Sequence, residues 1–352
     1  MHTSIQRNHI LIGLLLFTVP LLMTSCKSST STMTNTGYTA TYLVSDTAGF
    51  GAERTDPNLL NPWGIAIGTD GSLWLATNHD SAALNYSNSG QSMAASISIP
   101  SADHATGGSP SGAVANTTSD FNGAKLLFAT EDGIVAAWSS GASAQRVTQF
   151  ADSEEFKGIA IARDGGANFL YLTDFNEDKI IVLDKNFMPV SGKTLTDPSI
   201  PSGISGFGPF GIATINGMLY VTYAHHKPFP DNGDDLAGAG SGYVDVYNPN
   251  GTLVKHFATG GTLNSPWGIA LAPSGFGQFK NAILIGNFGD GAINAFDSSG
   301  AFLGQLSDAN NSPIKIDGLW GISFNPVAGD PNTLYFTAGP DEESHGTFGT
   351  VK

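Results

Sequence analysis

The chain has 352 residues, a formal net charge of −15, 44 glycines and only 13% charged residues. An acidic chain is repelled by phosphate backbones and anionic headgroups, which argues against nucleic acid as a partner and against direct adsorption to a membrane. Few charges and many glycines favour short strands joined by turns over long amphipathic helices. The length suffices for one large domain or two ordinary ones.

The first 25 residues have the pattern of a signal peptide. Residues 10–23 form an apolar run that is shorter than a membrane span and has the length of a secretory signal. The run continues into LLMTSC, which resembles a bacterial lipobox and contains Cys26, the only cysteine of the chain. This resemblance implies lipidation of Cys26, export, and contact with a bacterial membrane through the lipid alone, at the outer membrane in a Gram-negative cell. The alternative is a plain signal peptide with an incidental cysteine.

A Ser/Thr-rich stretch separates this cysteine from the rest of the chain. The segment KSSTSTMTNTG at 27–37 has almost nothing apolar to bury, and such a composition is typical of a flexible tether. The sequence therefore predicts a signal peptide over 1–25, a lipidated cysteine and tether over 26–37, and one domain over 38–352.

A phrase centred on glycine recurs six times in the predicted domain. Its copies read PWGIAI, SGAVAN, KGIAIA, FGIATI, PWGIAL and LWGISF, with their glycines at Gly64, Gly112, Gly158, Gly211, Gly268 and Gly321. Each copy is followed by a second and a third apolar strand, such as SLWLATN and AALNYS, and most copies end in a weaker fourth. Four short strands joined by Gly, Asn and Asp turns are typical of a β-propeller blade. The sequence thus predicts an all-β, six-bladed β-propeller.

The two ends of the domain complement each other. The sixth copy ends with its third strand, GTFGTV, whereas a surplus strand, YTATYLVSD at 38–46, precedes the first copy. We expect the N-terminal strand to complete the last blade and close the ring, which would leave only short, protected sheet edges.

The repeats also resemble known families. The segment GIAIGTDGSLWLATN at 64–78 is similar to NHL-type propeller repeats. The chain from about residue 38 onward more closely resembles a family of uncharacterised exported bacterial propeller proteins, through phrases such as NLLNPWGIA, DDLAGAGSGYVDVYNPNGTLVKHF and GNFGDGAINAFD. The resemblance implies six blades and export. It implies no activity and no catalytic residues.

The residue before each repeated glycine lies at the entrance to the innermost strand of its blade. We expect these six residues to form a ring around one mouth of the central channel: Trp63, Ser111, Lys157, Phe210, Trp267 and Trp320. The tryptophans have two interpretations. They are either wedges that pack between blades, or platforms that line a ligand pocket.

The loops that join second and third strands lie on the same face as these entrances, and they carry many polar side chains. A concave mouth of this kind is the default ligand site. The candidate ligand-binding residues are Trp63, Trp267 and Trp320 as platforms, Asn78, His79, Asp132, Asp174, Asn176, Asn287 and Asp290 as polar contacts, and then His225 and His226. The alternative for each polar residue is ordinary turn chemistry.

The fourth blade has an unusually long loop at 224–242. Asp231, Asp234 and Asp235 in this loop could supply oxygen ligands to a divalent cation such as calcium, although the segment DNGDD does not fit an EF-hand. The alternative is a solvated loop that covers part of the mouth.

Two function classes remain open. The sequence contains no H-E-x-x-H, G-x-S-x-G, phosphate-loop or dinucleotide motif. The first class is a lipid-anchored scaffold that binds a small molecule, a glycan or a protein at the mouth. The alternative is a metal-assisted propeller hydrolase or lyase, lactonase-like or esterase-like, with its site at the same mouth. Such an enzyme needs several carboxylates or imidazoles that converge within metal-bonding distance.

Overall fold

The computed structural model describes residues 1–2, 37–150, 153–203, 206–231 and 233–352. The predicted signal peptide, Cys26 and the tether up to residue 36 lie outside these residues, apart from residues 1–2. The chain divides into Met1–Thr34 and Asn35–Lys352, and all of the described strands belong to the second unit. Within the described ranges, no helix is both long enough and apolar enough to cross a membrane.

The described part of the chain is built from short strands. Two strands precede the first repeat: β1 (Ala40–Ser45) and β2 (Arg54–Thr55). The first blade contains β3 (Pro62–Ile67), β4 (Leu73–Thr77), β5 (Ala82–Tyr86) and β6 (Ser92–Ser98). The second contains β7 (Pro110–Ala115), β8 (Leu126–Thr130), β9 (Ile134–Trp138) and β10 (Gln145–Gln149). The third contains β11 (Phe156–Asp164), β12 (Ala167–Asp174) and β13 (Lys179–Leu183).

The second half of the chain repeats the pattern. The fourth blade contains β14 (Phe207–Ile215), β15 (Met218–His225), β16 (Tyr243–Tyr247) and β17 (Leu253–Thr259). The fifth contains β18 (Pro266–Leu271), β19 (Ile283–Asn287), β20 (Ile293–Phe296) and β21 (Phe302–Gln305). The sixth contains β22 (Leu319–Phe324), β23 (Leu334–Ala338) and β24 (Thr347–Val351). Three single-turn 3₁₀ helices lie between strands in the described ranges, at Ala48–Phe50, Phe121–Gly123 and Gly277–Phe279.

Each of the first five blades is an antiparallel sheet that runs in chain order from an inner to an outer strand, and the sixth runs β22, β23, β24, β1 and β2, with β2 parallel to β1. The hydrophobic core lies between blades rather than within one of them. Between the first and second blades, for example, Trp74 and Ala76 of β4 pack against Leu126 and Phe128 of β8. Most of the second strands, such as β4 and β8, are buried along their whole length because both of their faces contact neighbouring blades. The prediction of an all-β, six-bladed propeller is confirmed.

The recurring glycines allow the inner strands of adjacent blades to approach closely. A Cβ atom built on Gly64 would lie 2.5 Å from the backbone nitrogen of Ala113, and one on Gly321 would lie 2.5 Å from the carbonyl oxygen of Trp63. No real side chain tolerates that separation, so glycine is required at these two junctions between blades. Thr337 Oγ1 donates to the same Trp63 carbonyl over 2.5 Å, which links the sixth blade to the first.

The strand β1 pairs antiparallel with β24, so that the sixth blade contains both ends of the described domain. Ala40 lies opposite Val351, and Ser45 lies opposite Thr347. Just before β1, the buried side chain of Tyr38 packs against Phe276 and Phe279 of the fifth blade. Its hydroxyl donates to the carbonyl of Phe276 and accepts from the backbone N–H of Phe279, each over 3.2 Å.

Candidate functional site

Four of the six residues that precede the repeated glycines meet at the centre of the ring. Trp63, Phe210, Trp267 and Trp320 form one buried cluster, which we call the aromatic plug. The rings of Trp63 and Trp320 stack with their centroids 3.6 Å apart, and Trp63 also contacts Trp267 of the fifth blade at 6.3 Å. Because the first and fifth blades are not neighbours in the ring, this contact crosses the central axis.

A polar cavity of about 230 Å³ lies on one side of the aromatic plug. Its walls come from the entrances of the first strands and from the loops that join second to third strands. The lining residues are Trp63, Asn78, His79, Glu131, Lys157, Phe210, Asp234, Asp235, Trp320, Glu342 and Glu343. We call it the mouth cavity. At about 30 Å³ per molecule, it has room for roughly seven waters or one small organic group.

A buried lysine lies at the base of the mouth cavity. The side chain of Lys157 is only 3% exposed and forms ion pairs with Glu131, at 2.6 Å, and with Glu155. Its ammonium group also lies 5.4 Å from the ring centroid of Trp63. Burial alone would lower the pKa of Lys157, but the two carboxylates raise it above its ordinary value. Lys157 is therefore a fixed cation, held by two carboxylates and an aromatic face.

Another carboxylate, that of Glu343, reaches the cavity from a constrained turn in the sixth blade. Asp341, Glu342 and Glu343 all have left-handed backbone angles, with φ of 58°, 54° and 65°. Non-glycine residues in that region cost on the order of 1 kcal/mol each and occur preferentially at functional sites. Asn61 Nδ2 donates to Glu343 Oε2 over 2.6 Å. Burial raises the pKa of Glu343 to about 7, and the charges of Glu131 and Asp235 add to that effect.

The charges that line the mouth cavity are unbalanced. The lining contains five carboxylates, Glu131, Asp234, Asp235, Glu342 and Glu343, and one lysine. Asp234 has an exposed partner in Lys227 at 3.1 Å, whereas Asp235 Oδ2 is buried and has no well-aligned hydrogen bond from the described residues. Burial raises the pKa of Asp235 as well. This arrangement can accept a cation or a group rich in hydrogen-bond donors.

Four of the candidate ligand-binding residues line this cavity: Trp63, Asn78, His79 and Trp320. Asn78 Nδ2 donates to Glu131 Oε2 over 2.7 Å and so orients one of the carboxylates that hold Lys157. His79 Nε2 lies 3.4 Å from Asn61 Nδ2. Trp320 Nε1 donates to Asn61 Oδ1 over 3.2 Å, whereas Trp63 Nε1 is buried without a hydrogen-bond partner.

The other polar candidates lie outside the cavity lining and brace their own turns. Asp174 is fully buried and accepts hydrogen bonds from the backbone N–H groups of Glu155 and Glu177. Burial raises its pKa to about 6. Asp132 accepts from the Ser109 N–H over 2.7 Å. Asn176 donates to the carbonyl of Ser153 over 2.8 Å. For these residues the turn interpretation describes the contacts that the structure contains.

Asn287 and Asp290 of the fifth blade also brace their own turn rather than line the cavity. Asn287 Nδ2 donates to Asp290 Oδ1 over 2.9 Å and to the carbonyl of Thr262 over 2.8 Å. Asp290 also forms a 2.5 Å ion pair with Lys315. Burial alone would raise the pKa of Asp290, but its contacts with Lys315 and Asn287 lower it below its ordinary value.

The remaining candidates, Trp267, His225 and His226, pack against other side chains and do not line the mouth cavity. Trp267 Nε1 donates to the backbone carbonyl of Lys157 over 3.1 Å, and the ring faces the other side of the aromatic plug. His226 is 2% exposed, lies 2.7 Å from Asp178 Oδ1 and packs against Phe175 with the ring centroids 4.2 Å apart and the planes tilted by 40°. His225 contacts Phe207 edge to face at 4.9 Å.

The aspartates of the fourth-blade loop form no convergent three-carboxylate group among the described residues. Of the described residues, which exclude Asn232, the one group of three that could share an ion lies elsewhere, at Asp197, Asp245 and His256. Asp234 and Asp235 instead reach the mouth cavity. Asp231, Asp234 and Asp235 alone do not make a three-ligand group, and the calcium interpretation of this loop stays a prediction.

A larger cavity of about 710 Å³ opens on the opposite face. It is lined mainly by the glycines, alanines and branched residues of the inner strands, together with Trp267 and turn residues such as Asn216 and Pro273. The aromatic plug separates this apolar funnel from the acidic mouth cavity, so the two ends of the channel differ in chemistry.

Comparison with known proteins shows two long relatives, both from Acanthamoeba polyphaga mimivirus and both uncharacterised. One is 35% identical over 88% of this chain and 79% of its own length, and the other is 32% identical over 85% and 82%. No family model matches the chain. Since these relatives are viral, the bacterial origin expected from the sequence stays a prediction.

Solved structures with the same fold share little sequence with this chain. They include the soluble aldose sugar dehydrogenase of Escherichia coli, with a TM-score of 0.56 and 13% identity over 90% of this chain and 99% of that one. An inactive virginiamycin B lyase of Staphylococcus aureus aligns with a TM-score of 0.52 and 14% identity over 83% and 80%. A gluconolactonase of Xanthomonas campestris aligns with a TM-score of 0.53 and 14% identity over 83% and 86%. At such identity the likeness shows the propeller fold alone.

Proposed function

This chain belongs to the family of the two uncharacterised mimivirus proteins, and on that premise we propose that it binds a small ligand with a cationic group in the mouth cavity. The observation that carries the proposal is the pair of carboxylates, Glu343 and Asp235, whose pKa values burial raises by more than the nearby charge of Lys157 lowers them. Burying carboxylates costs free energy unless an opposite charge accompanies them. A ligand cation would supply that charge.

The protein itself contains an example of the proposed recognition. The ammonium group of Lys157 lies between Glu131 and Glu155 and beside the ring of Trp63. Carboxylates combined with an aromatic face are a common arrangement for binding ammonium groups. Glu343 and Asp235 would extend the same arrangement to a second cation that the ligand provides.

The dimensions of the mouth cavity limit the ligand. A volume of about 230 Å³ is below the roughly 300–1,000 Å³ of sites for drug-sized molecules. The ligand is therefore a small amine, or the terminal amino group of a longer glycan or protein chain. Trp320 and Phe210 would contact its apolar part, and Asn78 would hold the carboxylate of Glu131 in place.

Three compounds of nearly equal size test this proposal: benzylamine, benzyl alcohol and benzoate. Calorimetric titration should show that benzylamine binds at least about tenfold more tightly than the other two, because only it carries a cation. Glu343→Gln combined with Asp235→Asn should remove the preference. Glu53→Gln, at an exposed position outside the lining, is the matched control and should retain it. Equal affinity for all three compounds, or a preference for benzoate, would refute the proposal.

A hydrolase or lyase is the second candidate, and one observation favours it. A carboxyl group with a pKa of about 7 in a concave site is suited to general acid–base work at neutral pH. The described lining residues form no three-ligand metal group, so this candidate relies on Glu343 rather than on a metal. An aryl lactone such as dihydrocoumarin should then be hydrolysed with a rate inflection near pH 7. Glu343→Gln should lower that rate by about 10²-fold or more.

We also propose that the protein is exported and anchored by a lipid on Cys26. The proposal rests on the apolar run and the LLMTSC segment. Stable anchoring by acyl chains requires more than one chain, which a lipobox cysteine would carry. Cys26→Ala should release the protein into the soluble fraction of a bacterial host that expresses it. Metabolic labelling with a palmitate analogue should mark the parent chain and not the variant, and labelling of both would contradict the proposal.

A further inference from the structure

A cluster of titratable side chains lies on the outer strands of the fourth blade, apart from the residues that line the mouth cavity. Asp245 is in β16 and His256 is in β17, and the two residues are directly paired across the strands. Paired residues project from the same side of an antiparallel sheet. Asp197, from the connection between β13 and β14, reaches the same place.

Three potential ligand atoms converge there. His256 Nδ1 lies 2.7 Å from Asp197 Oδ2 and 3.3 Å from Asp245 Oδ1. One ligand atom from each of the three residues lies within 4.8 Å of the other two. Atoms bonded to a common ion at about 2.0–2.2 Å are separated from one another by about 3 Å, so the observed spacing fits a shared ion.

The hydrogen bonds of the cluster leave one buried oxygen unsatisfied. The side chain of Asp197 is 2% exposed, and its Oδ2 is buried without a hydrogen bond although His256 Nδ1 is near. The imidazole nitrogen is aligned toward Asp245 Oδ1 instead. This oxygen has His256 Nδ1 as an ion-pair neighbour at 2.7 Å but no aligned hydrogen bond among the described residues, and a cation shared with the ring nitrogen and the second carboxylate would complete its contacts.

The other oxygens of both carboxylates are held in place. Asp197 Oδ1 accepts from the backbone N–H of Ser199 over 2.8 Å. Asp245 Oδ2 accepts from the hydroxyl of Tyr247 over 3.1 Å, and Tyr247 is in turn 2.8 Å from the hydroxyl of Tyr223. Outer contacts of this kind orient the ligands of metal sites.

We propose that Asp197 Oδ2, Asp245 Oδ1 and His256 Nδ1 bind a divalent transition-metal cation. One nitrogen and two carboxylate ligands favour zinc or manganese over calcium and magnesium, which prefer oxygen alone. The side chain of His256 is 52% exposed, so water can complete the coordination. The ion would fasten the connection between β13 and β14 to the fourth blade. The third blade has only three strands among the described residues, and the connection that leaves it would gain this attachment.

The test uses the full chain without an affinity tag, treated with EDTA and then dialysed. Titration with Zn²⁺ and with Mn²⁺ should show one tight site per chain for at least one of the two ions. His256→Ala should weaken that site by more than about tenfold, as should Asp245→Asn. His345→Ala is the matched control, because His345 Nδ1 lies 2.7 Å from a single carboxylate, that of Asp46, and should leave binding unchanged.

Thermal unfolding with and without the ion separates binding from folding. The melting temperature of the parent chain and of His345→Ala should rise with the ion, whereas that of His256→Ala should not. His256→Gln gives the same comparison with a larger side chain if the alanine variant does not fold. Failure of both ions to bind the parent chain stoichiometrically would overturn the proposal and leave an imidazole–carboxylate cluster held by protons alone. Undiminished binding by the His256 variants would overturn it as well.

Discussion

Replacing Glu343 by glutamine should make the protein more stable at alkaline pH. The substitution keeps the shape of the side chain and an oxygen that can accept the hydrogen bond from Asn61 Nδ2. It removes the carboxylate that burial, together with Glu131 and Asp235, makes difficult to ionise. Because an ionised Glu343 is disfavoured only in the folded state, its loss should help wherever that carboxyl would be charged.

The direction and size of the effect follow from the shift in pKa. The pKa of Glu343 rises from 4.5 to about 7 on folding, so the folded state binds a proton more tightly than the unfolded chain does. Stability therefore falls as the pH rises from about 4.5 to about 7, and stays lower above that range. At about 1.4 kcal/mol per pKa unit, the upper limit is about 3 kcal/mol. Because Glu343 is only partly buried, solvent screening reduces this to about 1–2 kcal/mol.

Urea unfolding at about pH 5 and about pH 8 measures this difference for the parent chain and for Glu343→Gln. The variant should lose less stability than the parent between the two values. Glu342→Gln, at an exposed position on the same turn, is the control and should follow the parent. If Glu343→Gln and the parent lose equal stability between the two values, the inferred burial of this carboxylate is wrong.

Two further substitutions test the architecture. Gly321→Ala should destabilise the fold by about 1–3 kcal/mol in urea unfolding, because the added methyl group would meet the carbonyl of Trp63, whereas Gly49→Ala has space and should be nearly neutral. Equal stability of the two variants would contradict the close approach of the blades. Tyr38→Ala should cost about 3–5 kcal/mol by calorimetry, through the lost ring between the fifth and sixth blades. Tyr38→Phe should cost less, and a neutral Tyr38→Ala would show that this residue does not join the two blades.

The repeated sequence predicted the architecture because each copy carries local information. A glycine that must meet the backbone of the next blade recurs wherever two inner strands meet, as at Gly64 and Gly321. Strand length, turn residues and apolar content recur with it. The resulting propeller is a sum of similar local units, which sequence periodicity describes well.

The candidate site was predictable only in part. Trp63 and Trp320 line the mouth cavity as the position before the glycine indicates, but Trp267 follows the same rule and faces the other side of the aromatic plug. Asp174 follows its strand as Asn78 does, yet it is buried because the backbone N–H groups of Glu155 and Glu177 need an acceptor. Which polar side chain turns inward depends on such backbone groups, and a single sequence does not reveal them.

The role of Glu343 was missed for a different reason. It reaches the cavity because Asp341, Glu342 and Glu343 take left-handed backbone angles that favour glycine or asparagine, and the segment contains neither at those positions. Its partner Asn61 lies at the other end of the chain. Neither the turn nor the pairing has a local sequence signal.

The most direct test of cation binding at the mouth is the indole N–H spectrum of the five tryptophans during titration with benzylamine. The signals of Trp63 and Trp320, which line the mouth cavity, should shift with a common affinity. The signals of Trp74 and Trp138, which pack against each other away from both cavities, should stay fixed. Benzyl alcohol at the same concentrations should cause little change. Shifts that begin at Trp267, which lines the apolar funnel, or an equal response to benzyl alcohol would contradict the account.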